Sequence, residues 1–198
     1  MSELETLQSI LFSGPWIWDS NEHSQIEFND NGTGTLICRQ ELNVWIAAEF
    51  DWKLPSSEVL QQVFNSHTTS RKPQVITEFD IEMTLTKRRI PGRELPHYRI
   101  NECLLTEKAF EPKMYTVRIE KGVLLTQSDR MYAVSTRDSR RFTLRLVLDK
   151  SPFPPREEWK RAEGAPDALR FWEWTELYAR GISAAEMGVW TRFWNLFD

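Results

Sequence analysis

At 198 residues and a net charge of −4, the chain can bury about 70% of its unfolded surface in one core. It carries no basic block of the kind nucleic acid attracts. With 40% hydrophobic and 27% charged residues, it reads as a water-soluble globular domain with no apolar run long enough to span a bilayer.

Only Cys38 and Cys103 occur. Both fall in strand-like segments among apolar neighbours and read as two buried free thiols rather than a bridge. The first twelve residues lack a basic start and carry Glu3 and Glu5, so a secretion signal is not expected and a reducing, cytoplasmic setting is. Nine tryptophans are present, five of them after residue 158. Each brings a large apolar area and one N–H that wants an acceptor.

In chain order, Ser2 with Glu5 fits a capping box, and Leu4, Leu7, Ile10 and Leu11 recur at helical spacing. This short helix ends at Ser13-Gly14, and Pro15 forces an extended start to a first strand at Trp16-Ile17-Trp18. Asn31-Gly32 signals a tight hairpin between strands over 24–29 and 33–40, with both central residues at positive φ. Residues 42–52 alternate, with Leu42, Val44, Ile46, Ala48, Phe50 and Trp52 on one face. Residues 54–70 form a lid or crossing loop with one helical turn at 58–64. Residues 74–87 alternate again, with Val75, Thr77, Phe79, Ile81, Met83 and Leu85 together, a strand long enough for a tilted barrel wall.

Residues 89–96 are a loop around Pro91-Gly92. Residues 98–110 fit strand or helix and are assigned as strand from their neighbours. Residues 113–120 form a strand. Residues 123–126 and 131–135 suggest a pair across Ser128-Asp129, and Phe142, Leu144, Leu146 and Leu148 face one way on a last strand. That gives roughly eight to ten strands, within the range of a small closed barrel. The run Ser151-Pro152-Phe153-Pro154-Pro155 ends the β pattern. Helices are expected over 156–163, over 167–180 and from Ser183 onward, the last with a stripe of Met187, Trp190, Trp194 and Phe197. Trp45, an aromatic on a polar face, is expected to lie under these helices.

A short helix, then Gly14-Pro15-Trp16, then a many-stranded meander resembles the lipocalin-like (calycin) superfamily, including lipocalin-like proteins of filamentous fungi. The resemblance covers about residues 1–150. It implies that Trp16 closes the bottom of the barrel and that an arginine late in the barrel stacks on it. Arg145 is the nearest match and Arg141 the second. The helical tail departs from that pattern.

No metal-ligand spacing links His23, His67 and His97, so neither a metal nor another cofactor is expected. His67 and His97 border the longest loops and could reach a barrel mouth as acid or base. Glu49 with Asp51, and Glu78 with Asp80 and Glu82, oppose the apolar faces and read as solvated carboxylates. The aromatics carry the ligand reading: Phe50, Trp52, Phe79, Met83, Tyr115 and Phe142, with Thr77 as a polar group, either fill the barrel or line a pocket in it.

The expectation is a single, mainly β (α+β) domain: a lipocalin-like antiparallel barrel over 1–150 with a short N-terminal helix, and a Trp-rich helical tail over 151–198 docked on it. Its leading function is intracellular binding of a small, largely apolar or aromatic molecule in the barrel, with no nucleic-acid or membrane partner and with a homodimer compatible. One alternative is a cofactor-free cyclase or isomerase acting on a small natural product, with Tyr115, Tyr132, His67 and His97 as candidate hydrogen-bonding and acid–base groups. The other is an interaction module using the tryptophan-rich tail. A cavity of several hundred Å³ with polar groups inside would support the first two readings, whereas a filled interior would sink both and favour the third.

Overall fold

The computed structural model describes residues 4–40, 42–65, 72–91, 99–132 and 139–183. Its elements in chain order are β1 (Leu4–Thr6), α1 (Leu7–Leu11), β2 (Trp16–Ile17), β3 (Gln25–Phe28), β4 (Thr33–Gln40), β5 (Asn43–Lys53), β6 (Val63–Asn65) and β7 (Gln74–Arg89). There follow β8 (Lys113–Leu124), α2 (Gln127–Tyr132), β9 (Arg141–Leu148), α3 (Ala165–Leu169) and β10 (Glu176–Ile182). Eight strands close into an antiparallel barrel in the order β10-β2-β3-β4-β5-β7-β8-β9, while β1 and β6 form a separate two-stranded sheet. The barrel is therefore a meander in which each strand pairs with the next, compatible with a lipocalin-like fold.

Alternation sets the inner faces. On β9, Phe142, Leu144, Leu146 and Leu148 are buried while Arg141, Thr143, Arg145 and Val147 between them are only partly so. The same rule buries Phe79, Ile81, Met83 and Leu85 on β7. At Gly34 the inner face needs glycine. A Cβ there would lie 2.3 Å from the Phe50 ring and 2.3 Å from the Glu27 carbonyl, so the missing side chain lets the ring lie on the strand backbone. The β3–β4 turn is also specific. Gly32 alone takes positive φ, at 79°, and Asn29 N–H bonds the Thr33 carbonyl at 2.8 Å. This makes a three-residue loop rather than the expected two-residue turn, and the Asn31 side chain accepts from Thr33 N instead of adopting positive φ itself.

Four assignments of secondary structure are corrected. The N-terminal helix is shorter and starts later: Thr6, not Ser2, caps it through Ser9 N at 3.1 Å, because Leu4–Thr6 is extended against β6. Residues 99–110 of the expected strand 98–110 are not a strand; Tyr98 lies outside the described residues. Among the described residues they form two 3-10 turns, Asn101–Cys103 and Glu107–Phe110. Buried Asn101 sits at φ 53°, and its amide bonds both Ala47 N at 2.8 Å and Ala47 O at 2.9 Å. One side chain thus supplies what a strand neighbour would. Cys103 is exposed there, not buried. The pair expected across Ser128-Asp129 is instead α2, whose start is capped by the Thr126 hydroxyl on Asp129 N.

The fourth correction concerns the tail. No helix spans 167–180. α3 stops at Arg170, which is left-handed at φ 52°, and the chain then enters β10. Leu177 faces Leu146 and Ala179 faces Leu144 across the β9 ladder, so the barrel closes with residues 176–182 and not before residue 150. The stripe Met187, Trp190, Trp194 and Phe197 lies outside the described residues. Trp45 does meet the C-terminal segment, 5.1 Å from Phe171 between ring centroids, but Phe171 belongs to a 3-10 turn. Trp18 and Trp174 stack at 3.5 Å and 8°. With Phe153, Trp159 and Phe171 they belong to the same buried cluster as the barrel interior, at the end where β9 finishes and β10 begins. Near the other end Leu7, Ile10 and Leu11 of α1 are fully buried, and Trp16 Nε1 donates to the Leu11 carbonyl at 3.0 Å.

Candidate functional site

Inside the barrel, Phe50, Met83 and Tyr115 border a residual space of about 20 Å³ together with Ile26, Leu36 and Leu85, room for about one water. Trp52 is buried, with its Nε1 on the Thr33 carbonyl at 2.8 Å and its ring against Phe12 and Phe28. Phe79 is buried in the same cluster. Thr77 is half-buried, with its hydroxyl 3.4 Å from Gln62 Oε1. Phe142 belongs to a second cluster with Ile17, Leu124 and Tyr178. The predicted ligand set thus converges at Phe50, Met83 and Tyr115, while Thr77 and Phe142 stand elsewhere. As described, the interior is packed.

The larger space lies at the mouth where β8 begins and β9 ends. A cleft of about 280 Å³ is lined by Lys113, Tyr115, Lys150, Ser151, Phe153, Pro155 and Trp172. Tyr115 and Lys113 border both this cleft and the interior space. The register places Tyr115 inward opposite Ile81. The run over 151–155 cannot continue the ladder because its prolines lack N–H groups. It folds over the mouth, where the Ser151 hydroxyl holds the Phe171 carbonyl at 2.8 Å.

Charge at the mouth is ordered. Lys113 Nζ sits 2.7 Å from Glu158 Oε2 and also reaches the Ala109 carbonyl at 3.3 Å, and Glu158 is buried. Lys150 Nζ lies 5.1 Å from the centre of the Tyr115 ring, close enough for a cation–π contact. Burial first, then the Glu158 and Asp149 carboxylates, push the Tyr115 phenol well above its usual range. The phenol therefore stays protonated and is available as a donor rather than a base. No bond to its hydroxyl occurs among the described residues.

The other candidate catalytic residues do not join this site within the described structure. His67 and His97 lie outside the described residues. Tyr132 is on α2 and 59% exposed, its ring edge-on to Trp18 at 6.4 Å. Arg145 does not stack on Trp16. It points outward and binds Glu120 at 2.5 Å and Glu176 at 2.8 Å, because its neighbours Leu144 and Leu146 take the inner face. The outer-face carboxylates are held at the surface: Glu49 and Asp51 by Arg88, Glu82 by Lys53, and Asp80 by Thr116. Among the described residues, no three His, Cys, Asp or Glu side chains group as a metal site would need, and no helix is long and apolar enough to cross a membrane.

Lys113, Lys150, Phe153 and Trp172 are the mouth residues that pattern reading misses. The available signal is the Pro-rich run directly after a strand, which marks a segment that must cover something rather than pair. No family model, curated protein or solved structure matches the chain.

Proposed function

We propose that this protein binds a small, largely apolar or aromatic molecule at the barrel mouth, with Tyr115 as the polar contact, and that its barrel belongs to the calycin group. One observation carries the reading. The cleft of about 280 Å³ sets Phe153, Pro155 and Trp172 around a buried phenol that is held protonated. An apolar wall with one or two convergent polar groups is the usual make-up of a small-molecule site. The volume suits a ligand of one or two rings. The packed interior counts against the expected binding in the barrel's depth, so this reading rests on the mouth cleft alone.

A second reading, a cofactor-free cyclase or isomerase, rests on the same phenol. A protonated donor in an apolar cleft can polarise a carbonyl as charge develops on it.

The test is titration with an apolar fluorophore, followed by native mass spectrometry of protein from its natural host. Saturable binding that weakens about tenfold in Trp172→Ala is expected. Tyr115→Phe should weaken binding of ligands with an acceptor and spare those without one. Absence of saturable binding, or binding indifferent to both substitutions, would overturn the reading.

A further inference from the structure

Most arginines of the described structure are paired with carboxylates. Arg89 binds Glu102 at 2.6 Å, Arg156 binds Asp167 at 2.7 Å, and Arg180 binds Glu5 at 2.6 Å. Arg99 and Arg161 differ. Neither has an ion pair or hydrogen bond among the described residues, and both line one cleft of about 340 Å³ with Cys103, Leu104 and Lys160. Three cations thus share a concavity in a chain of net charge −4.

The cleft is held in place by backbone. Lys160 N–H donates to the Leu104 carbonyl at 2.8 Å, and Thr106 N–H donates to the Glu158 carbonyl at 2.8 Å. Leu105 and Trp159, both buried, form the β-bridge between these bonds. The two segments that supply the cations are therefore fixed to each other. Lys160 Nζ is anchored on the Glu102 carbonyl at 2.5 Å, which leaves two of its three donors for another acceptor. Glu102 is paired with Arg89 through Oε1, and Glu107, paired with Lys87, also lies within Coulombic reach of Lys160. Arg99 and Arg161 have no such carboxylate among the described residues; their like charges repel, and a bound anion relieves that repulsion.

We propose that this cleft binds a phosphate-bearing molecule, independently of the mouth cleft. Two guanidinium groups offer planar, paired donors to the oxygens of a phosphate, and the ammonium adds a point charge. A dianion matches three cations better than a single carboxylate does. Leu104 supplies an apolar wall for whatever carries the phosphate.

The test is titration of the full chain with inorganic phosphate and pyrophosphate at constant ionic strength in excess chloride, followed by amide chemical shifts. Saturable shifts are expected at residues 99–104 and 160–161. Arg99→Gln with Arg161→Gln should weaken binding at least about tenfold. Arg156→Gln, whose arginine already has Asp167, should leave binding unchanged. The single variants keep the test usable should the double variant lose its native circular dichroism. Two further probes identify the source: a soluble sugar phosphate, and phosphatidylcholine vesicles with and without phosphatidic acid. Binding of either class supports the site. Shifts absent from these two segments, or a folded double variant that binds as tightly as the original, would overturn it.

Discussion

The barrel is held shut in two different ways on its two sides. Along β7–β8 the ladder runs from Gln74 opposite Lys121 to Met83 opposite Lys113, so backbone bonds fix the wall. At the β10–β2 seam only Tyr178 pairs with Ile17. β2 cannot be longer. Pro15 precedes it without an N–H, and the chain turns at Asp19, whose carboxylate collects the N–H groups of Asn21, His23 and Ser24.

Side chains from α2 replace the missing ladder. Gln127 Oε1 accepts from Trp18 Nε1 at 3.2 Å and Thr175 N at 3.2 Å, while its Nε2 donates to the Glu173 carbonyl at 3.1 Å. Arg130 donates to the Tyr178 hydroxyl at 3.2 Å and pairs with Glu176 at 2.7 Å. Tyr178 in turn donates to Glu176. A barrel can thus close over a short edge when a neighbouring segment satisfies the polar groups left there.

The most severe way to break the contrast is truncation after Asp149. It removes β10 and leaves β9 and β2 as open edges, so no soluble folded product is expected. A stable truncated barrel, seen by circular dichroism and sedimentation, would show that the seam is dispensable. Next is Trp174→Ala, beside the seam. It deletes a ring that is 1% exposed and stacked on Trp18, and it should cost about 3–5 kcal/mol in urea denaturation. A cost below that of an ordinary surface change would mean the stack is not part of the core.

Gln127→Ala separates the two sides more finely. It leaves Thr175 N and the Glu173 carbonyl without their partner, at about 1–3 kcal/mol. Amides of residues 16–18 and 176–178 should exchange faster while those of β7–β8 keep their protection. Equal acceleration in both places would refute a locally held seam.

The smallest expected effect is on pH. Burial favours the neutral form of Glu176, but bonds from Tyr178 and Arg130 and the charges of Arg145 and Arg130 outweigh it and lower its pKa. A carboxyl lowered in the folded state contributes stability that is present above its unfolded value of about 4.3. That contribution is lost as pH falls through the lower folded value. Glu176→Gln should flatten this acid limb of the stability curve, and an unchanged limb would assign it to other groups.

Strands were legible where alternation ran long. The spans 42–52 and 74–87 correspond to β5 and β7 because inner and outer residues differ in polarity at most steps, with Trp45, Ala47 and Ile76 as exceptions. The same signal is weak over 176–182, where seven residues with Glu176 and Arg180 four apart also suit a helix face. The span expected as a strand over 98–110 misled for a different reason: over 99–110 the chain forms 3-10 turns, and the strand-like bonding there comes from Asn101. The candidate site was legible only in part. Tyr115 was reachable as an inward aromatic on β8, but Lys150, Phe153 and Trp172 come from a segment with no period to read.

The sequence by itself determined the β3–β4 hairpin, the alternation along β9 and the central part of β7, and the place of the turn at Gly32. These depend on local φ preferences and on the period of two that a pleated strand imposes. Tertiary structure decided which segment closes the barrel, where α2 lies and where open space remains. Those outcomes depend on pairings between residues far apart in the chain, such as Ile17 with Tyr178 and Tyr115 with Lys150. A local pattern carries no information about a partner 35 or 161 positions away, and only the closed fold brings such pairs together.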